Sequence, residues 1–115
     1  MLKGDQTALE MLGRIEKVFV PIIVVGELFY GAYKSTRKDD NMALFTAVLS
    51  TFEILLVNES VAVSYAGIKT DLIKNGIKIP ENDLWIAAVA DANNLSLVTF
   101  DSNFDNISRI KIIRS

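Results

Sequence analysis

Residues 82–101 read Asn82-Asp83-Leu84-Trp85-Ile86-Ala87-Ala88-Val89-Ala90-Asp91-Ala92-Asn93-Asn94-Leu95-Ser96-Leu97-Val98-Thr99-Phe100-Asp101. The stretch divides into three parts. Asn82 or Asp83 opens a strongly apolar helix, Leu84 to Ala92, which Asn93-Asn94 ends. Leu95 to Phe100 then reads as a strand, and an acid follows it at once. A helix feeding a short apolar strand is the repeating unit of an α/β domain.

Downstream, Ser102 to Ile107 reads as a turn or short helix leading to a last strand, Ile110 to Ile113. Upstream, Val61, Tyr65, Ile68 and Leu72 recur at helical spacing and stop at Asn75-Gly76, a good C-terminal signal. Glu53 to Val57 reads as a strand, preceded by a helical stripe of Leu44, Phe45, Val48, Leu49 and Phe52. The charged stretch Lys34 to Asp40 is a loop candidate, and Gly26 to Lys34 a short helix. Val18 to Val25 is a β-rich run interrupted by Pro21, whose missing N–H predicts pairing only from the proline onward. Thr7 to Glu10 has a capping pattern, followed by Ala8, Leu9, Leu12 and Ile15 on a helical face. Strands separated by helices predict an α/β fold with a mainly parallel sheet.

The 115 residues are expected to form a single domain, 1–115, and half of them are hydrophobic. The chain has neither cysteine nor histidine. Disulfides, thiol nucleophiles, Ser-His-Asp triads and the usual zinc sites are excluded. Chemistry is left to carboxylates, hydroxyls, lysines or a hard cation held by oxygen. The lack of cysteine fits an intracellular protein. Twelve basic residues against 14 acidic ones give a net charge of −2, so the chain as a whole is no electrostatic glue for nucleic acid. The longest apolar run, Val18 to Val25, falls far short of the ~20 residues a membrane span needs, and the first ten residues hold no secretory signal.

Ligands of parallel sheets bind beyond the carboxyl ends of the strands. Glu27 follows the first readable strand at the start of a helix, Asp101 follows a later strand, and Asp83 opens the helix that feeds it. All three are expected at one edge of the sheet. Each alone has a structural reading: Glu27 and Asp83 as acids favoured by a helix dipole, Asp101 as a cap. Together they would repel unless a cation sat between them, and Mg²⁺ or Mn²⁺ suits an all-oxygen site. That points to metal-assisted hydrolysis of a phosphodiester. Trp85, Ala88, Val89 and Ala92 share a helical face and read as core. Phe29, Tyr30 and Tyr33 read as core or as a partner groove. Lys34, Arg37 and Lys38 read as a solvated loop or as contacts to RNA phosphates. Gly26 and Gly31 match neither the Walker nor the Rossmann spacing.

Three stretches resemble the acidic motifs of PIN-domain ribonucleases of the VapC toxin type: 24–32 around Glu27, 79–88 around Asp83, and 97–104 with its Thr-x-Asp-x-Asn-Phe pattern. They fall in that family's order and at its spacing. The resemblance implies a three-layer α/β/α domain and a cytoplasmic, Mg²⁺- or Mn²⁺-dependent endoribonuclease. It implies the toxin of a type II toxin–antitoxin pair, commonly a homodimer, inhibited by a cognate antitoxin. By position it makes Glu27, Asp83 and Asp101 the catalytic and metal-binding acids and Thr99 a supporting polar residue. Asn103 takes the variable position of the fourth motif.

The family begins with a central strand carrying an Asp, whereas Met1-Leu2-Lys3-Gly4-Asp5 resembles the middle of the helix after it. The resemblance therefore implies that about a dozen residues, one strand and a turn or two of helix, are missing. A late-assigned start, a truncated gene or a strand supplied by a partner chain would each account for that. The first reading is thus a VapC-like endoribonuclease. The second is an inactive PIN-fold remnant that acts only by binding an antitoxin or partner chain. A receiver-type phosphoacceptor domain ranks third, because no acidic pair follows an early strand.

Overall fold

The computed structural model describes residues 18–113, so the predicted N-terminal helix around Ala8 to Ile15 lies outside the described residues. The described residues fall into two compact units, with the break between Leu56 and Val57.

The first unit contains strand β1 (Phe19–Pro21), helix α1 (Ile22–Lys34), helix α2 (Lys38–Leu49) and strand β2 (Glu53–Leu55). β1 and β2 are parallel, with Phe19 opposite Glu53, Val20 opposite Ile54 and Pro21 opposite Leu55. The predicted strand to Val25 is corrected here. Pro21 ends the pairing instead of beginning it, and the β-branched Ile22 to Val25 form the first turn of α1. The cause is local. Pro21 sits at φ −62° as the residue before the helix, where its missing N–H costs no intrahelical bond. The helix penalty of β-branched side chains is only tenths of a kcal/mol each, which packing overrides.

The loop predicted from Lys34 to Asp40 is only the turn 35–37, because Lys38 already opens α2. Ser35 closes α1, its backbone N–H and its Oγ both donating to the Ala32 carbonyl, at 3.1 and 2.9 Å. Asn41 reaches back to Ser35 Oγ at 2.9 Å and fixes the corner. The apolar stripe predicted for α2 is only partly covered. Leu49 is buried and Phe45 half-buried, while Leu44 and Val48 are 55% and 45% exposed. Phe52 lies beyond the helix, in the approach to β2.

The second unit contains helix α3 (Glu59–Lys74), helix α4 (Glu81–Ala92), strand β3 (Leu97–Val98), a 3-10 turn (Ser102–Phe104) and strand β4 (Ile112–Ile113). Asn58 caps α3, its side chain accepting from the Val61 N–H at 3.0 Å. The predicted face of α3 is the buried one: Val61, Ile68 and Leu72 are buried and Tyr65 half-buried. It packs on α4, whose Leu84 and Ile86 to Ala90 are all buried.

Both helices end in the same way. Gly76, at φ 69°, lets the Ile77 N–H reach the Leu72 carbonyl at 2.9 Å. Asn94, at φ 54°, lets the Leu95 N–H reach the Ala90 carbonyl, also at 2.9 Å. These are Schellman closures, and Gly and Asn are the residues that enter the left-handed region cheaply. The second closure turns the chain into β3, which pairs in parallel with β4, Leu97 opposite Ile112 and Val98 opposite Ile113. Both strands are shorter than predicted, and Phe104, Ile107 and Ile110 between them are buried. Every strand pairing described is parallel, as the sequence predicts for this α/β class.

Candidate functional site

α4 opens at Glu81, after Pro80, and so carries Asp83 in its first turn. β3 delivers Thr99 and Asp101 at its carboxyl end. Asp101 Oδ1 accepts the Asn103 backbone N–H at 2.9 Å, which caps the 3-10 turn. Thr99 Oγ1 accepts the Asp101 backbone N–H at 3.0 Å, which fixes the orientation of residue 101.

The two carboxylates meet at one amide. Asn103 Nδ2 donates to Asp83 Oδ2 at 3.0 Å and to Asp101 Oδ2 at 3.4 Å. Asp83 and Asn103 are half-buried and Asp101 is exposed. The structure thus brings together four predicted site residues, Thr99, Asp83, Asp101 and Asn103. The capping reading of Asp101 also holds, so one side chain serves the turn and faces the site.

Among the described residues, no three His, Cys, Asp or Glu side chains are grouped so as to hold a metal ion by themselves. The oxygen donors that are gathered still fit a hard cation. Mg²⁺ is ordinarily held by one or two carboxylates, with water and substrate phosphate completing its shell. Asp83 and Asp101 supply two carboxylates, and the Asn103 Oδ1 is a neutral oxygen at the same place.

Glu27 belongs to the first unit. It is the sixth residue of α1, and no acid stands in that helix's first turn. The dipole explanation offered for Glu27 from sequence therefore does not apply, since the effect fades beyond the first turn. Its side chain is exposed and makes an interaction within the protein.

The basic residues at the α1–α2 corner are individually engaged. Lys34 Nζ lies 4.6 Å from the centre of the Tyr30 ring, and Lys38 Nζ lies 4.4 Å from that of Tyr33. Arg37 pairs with Asp40 at 2.9 Å. Tyr30 and Tyr33 are 63% and 59% exposed, so they are not core; Phe29 is half-buried.

A second polar cluster adjoins the first turn of α4. The Tyr65 hydroxyl donates to Glu81 Oε1, and Lys69 Nζ donates to the Tyr65 hydroxyl at 3.1 Å and lies 3.4 Å from Glu81 Oε2. The Tyr65 hydroxyl and then Glu81 hold the Lys69 pKa above the ordinary lysine value. The Tyr65 hydroxyl, then Lys69, hold Glu81 below the ordinary glutamate value. The Tyr65 ring stacks on Trp85, with centroids 3.9 Å apart and planes within 7°. Trp85 is therefore a half-buried partner of Tyr65, while Ala88 and Val89 on the same face are core. Sequence reading missed this cluster. Its signal was the i, i+4 pair Tyr65 and Lys69 on α3, opposite an acid at the start of α4.

The PIN domain family profile matches residues 2–110, across both units. Over 111 residues the chain is 37% identical to the ribonuclease VapC2 of Haemophilus influenzae, covering 93% of this chain and 83% of that protein. Its fold superposes on a chain of the Rickettsia felis VapBC2 crystal structure, bound to a DNA fragment from its promoter. The TM-score there is 0.84 and the identity 32%, covering 94% of this chain and 82% of the other. The VapBC-5 structure from Mycobacterium tuberculosis, of the VapBC family of toxin–antitoxin systems, matches with a TM-score of 0.73. That match has 28% identity and covers 83% of this chain and 79% of that one.

Proposed function

The chain belongs to the PIN-domain family, in its VapC branch, and from that premise we propose that it is a divalent-cation-dependent endoribonuclease. It is the toxin of a type II toxin–antitoxin pair, working in the cytoplasm, and its partners are RNA, a cognate antitoxin and a second copy of itself. No helix among the described residues is long and apolar enough to cross a membrane. The observation that carries the reading is the convergence of Asp83 and Asp101 on Asn103 at the end of β3. It occurs at the positions where the third and fourth acidic motifs of the family fall.

Asp83 and Asp101 would hold Mg²⁺ or Mn²⁺, with Thr99 orienting Asp101 by accepting the Asp101 backbone N–H. Glu27 enters by its motif position as a further acid of the reaction. The bound cation supplies the Lewis acidity that activates water and neutralises charge developing at the scissile phosphate. With no histidine in the chain, the proton of that water would pass to a carboxylate, a lysine or bulk solvent.

The test is cleavage of RNA by the purified chain in Mg²⁺, in Mn²⁺ and in chelator. Cutting is expected only with the cation, and Asp83→Asn is expected to lower the rate about a hundredfold or more, some 2.7 kcal/mol of barrier. Cleavage in chelator, or an unimpaired Asp83→Asn enzyme, sinks the mechanism. Glu27→Gln, assayed alongside, tests that residue by itself.

A further inference from the structure

We propose that Asn103 is a reversible bridge. Its amide hydrogens hold Asp83 and Asp101 together while no cation is bound, and its side chain turns to present Oδ1 when one arrives. The inference rests on the reading of these two acids as cation ligands.

The argument begins with what each group can do. Ionised carboxylates only accept hydrogen bonds, and two of them facing one point repel. Something positive must stand between them. In this chain it is the Nδ2 end of Asn103, at 3.0 Å from Asp83 Oδ2 and 3.4 Å from Asp101 Oδ2. Because both neighbours are pure acceptors, the chemistry requires the NH₂ end to face them. The same hydrogens cannot face a cation, whose positive charge they would meet with their own. An asparagine resolves the conflict without moving its backbone. The Asn103 N–H is tied to Asp101 Oδ1 at 2.9 Å, so rotation about the last side-chain bond is enough to exchange Nδ2 for Oδ1.

No charged residue does both jobs. A lysine or arginine would be a permanent internal cation. An aspartate would serve as a ligand but would add a third charge to the unloaded site. Asn103 therefore acts as a positioning residue that keeps the two acids close before the cation binds.

The side-chain amide of Asn103 reports this directly. In a ¹⁵N-labelled chain its NH₂ signals are identified by their loss in Asn103→Ala. On titration with Mg²⁺ they are expected to shift with the same midpoint as the backbone amides of Asp83 and Asp101. If those backbone amides shift while the Asn103 NH₂ signals stay fixed, the bridge is wrong and the reading of the acids stands. If Mg²⁺ and Mn²⁺ both leave all of these signals unmoved, the reading fails and the bridge fails with it.

The Asn103→Asp variant gives a second arm. It is expected to melt at a lower temperature without cation and to bind Mn²⁺ about tenfold more tightly, at the low end of the 10–100-fold that supporting residues exert on metal affinity. A gain in affinity shows that position 103 lies within reach of the cation, as the bridge requires. Unchanged or weaker Mn²⁺ binding in that variant counts against the proposal.

Discussion

Thr99 shows how much a site residue depends on a neighbour that touches no substrate. Its Oγ1 accepts the Asp101 N–H at 3.0 Å, so it sets the direction from which the carboxylate leaves the chain. Valine has nearly the same shape but no acceptor. Thr99→Val is therefore expected to lower kcat about tenfold, as loss of a supporting partner does, while KM for RNA stays within twofold (roughly, since uniform binding is untouched). Steady-state cleavage at saturating Mg²⁺ reads the split, and a change confined to KM would refute the positioning role. Gly67 presents a contrasting case, in which two effects nearly cancel. A Cβ there would lie 2.5 Å from an Arg109 guanidinium nitrogen, so the guanidinium must swing away. The swing breaks the 3.2 Å pair with Asp71, whose partners are 40% and 54% exposed, and the looser 4.0 Å approach to Asp91. An ion pair that open contributes about 0.2–1 kcal/mol, and alanine returns about 1 kcal/mol of helix propensity. Gly67→Ala should thus change the urea midpoint little, and a loss well above ~1 kcal/mol would show that Arg109 matters beyond its charge.

At the scale of the elements, the carboxyl ends of α3 and α4 were legible, whereas the start of α1, both ends of α2 and the strand ends were not. Asn75-Gly76 and Asn93-Asn94 stop helices for a reason carried by the residues themselves, the low cost of positive φ. Gly76→Ala is expected to cost about 1–2 kcal/mol, measured by urea unfolding. The strands are two or three residues long because their limits are set by the partner strand, which a local pattern does not contain. In the sequence Pro21 interrupts an apolar β-rich run, yet in the fold it closes β1 and stands as the N-cap of α1. The local sequence does not distinguish these roles, since both use the same missing N–H. The tie between α3 and α4 through Tyr65, Lys69 and Glu81 carries a pH signature. Glu81 is depressed, so its contribution is present above the ordinary glutamate value of about 4.3 and is lost as pH falls through its lower folded value. Lys69 is raised, so its contribution is complete below about 10.4 and is lost as pH rises through its higher folded value. The melting-temperature difference between wild type and Lys69→Met should be constant at neutral pH and shrink at both extremes. Both groups are exposed, so the difference is small, and a difference independent of pH would mean the tie is packing alone.

For the whole molecule, the placement of the candidate site residues was legible to the extent that it follows from order along the chain. Asp83, Thr99 and Asp101 stand where a helix start and a strand end must put them. The bridging by Asn103 was not legible, because it depends on which end of an amide faces two acids. The net charge of −2 raises a separate question, since the proposed substrate is a polyanion. Non-specific affinity then has to come from local cations, and Lys34 and Lys38 at the α1–α2 corner have the right neighbours. Each stands over an exposed tyrosine ring, and neither takes part in an ion pair described among residues 18–113. Arg37 is instead paired with Asp40. If Lys34 and Lys38 meet phosphates, each releases counterions on binding, and the slope of log affinity against log salt reports about 0.7 per charge on a single strand. Measured in the Asp83→Asn background, so that the RNA stays intact, the double variant Lys34→Ala/Lys38→Ala should flatten the slope by about 1.4. Arg37→Ala should leave it nearly unchanged. A slope indifferent to the lysines would return this corner to the role of a solvated turn. The exposed Tyr30 and Tyr33 would then be left for a protein partner, with the antitoxin as the first to be tried.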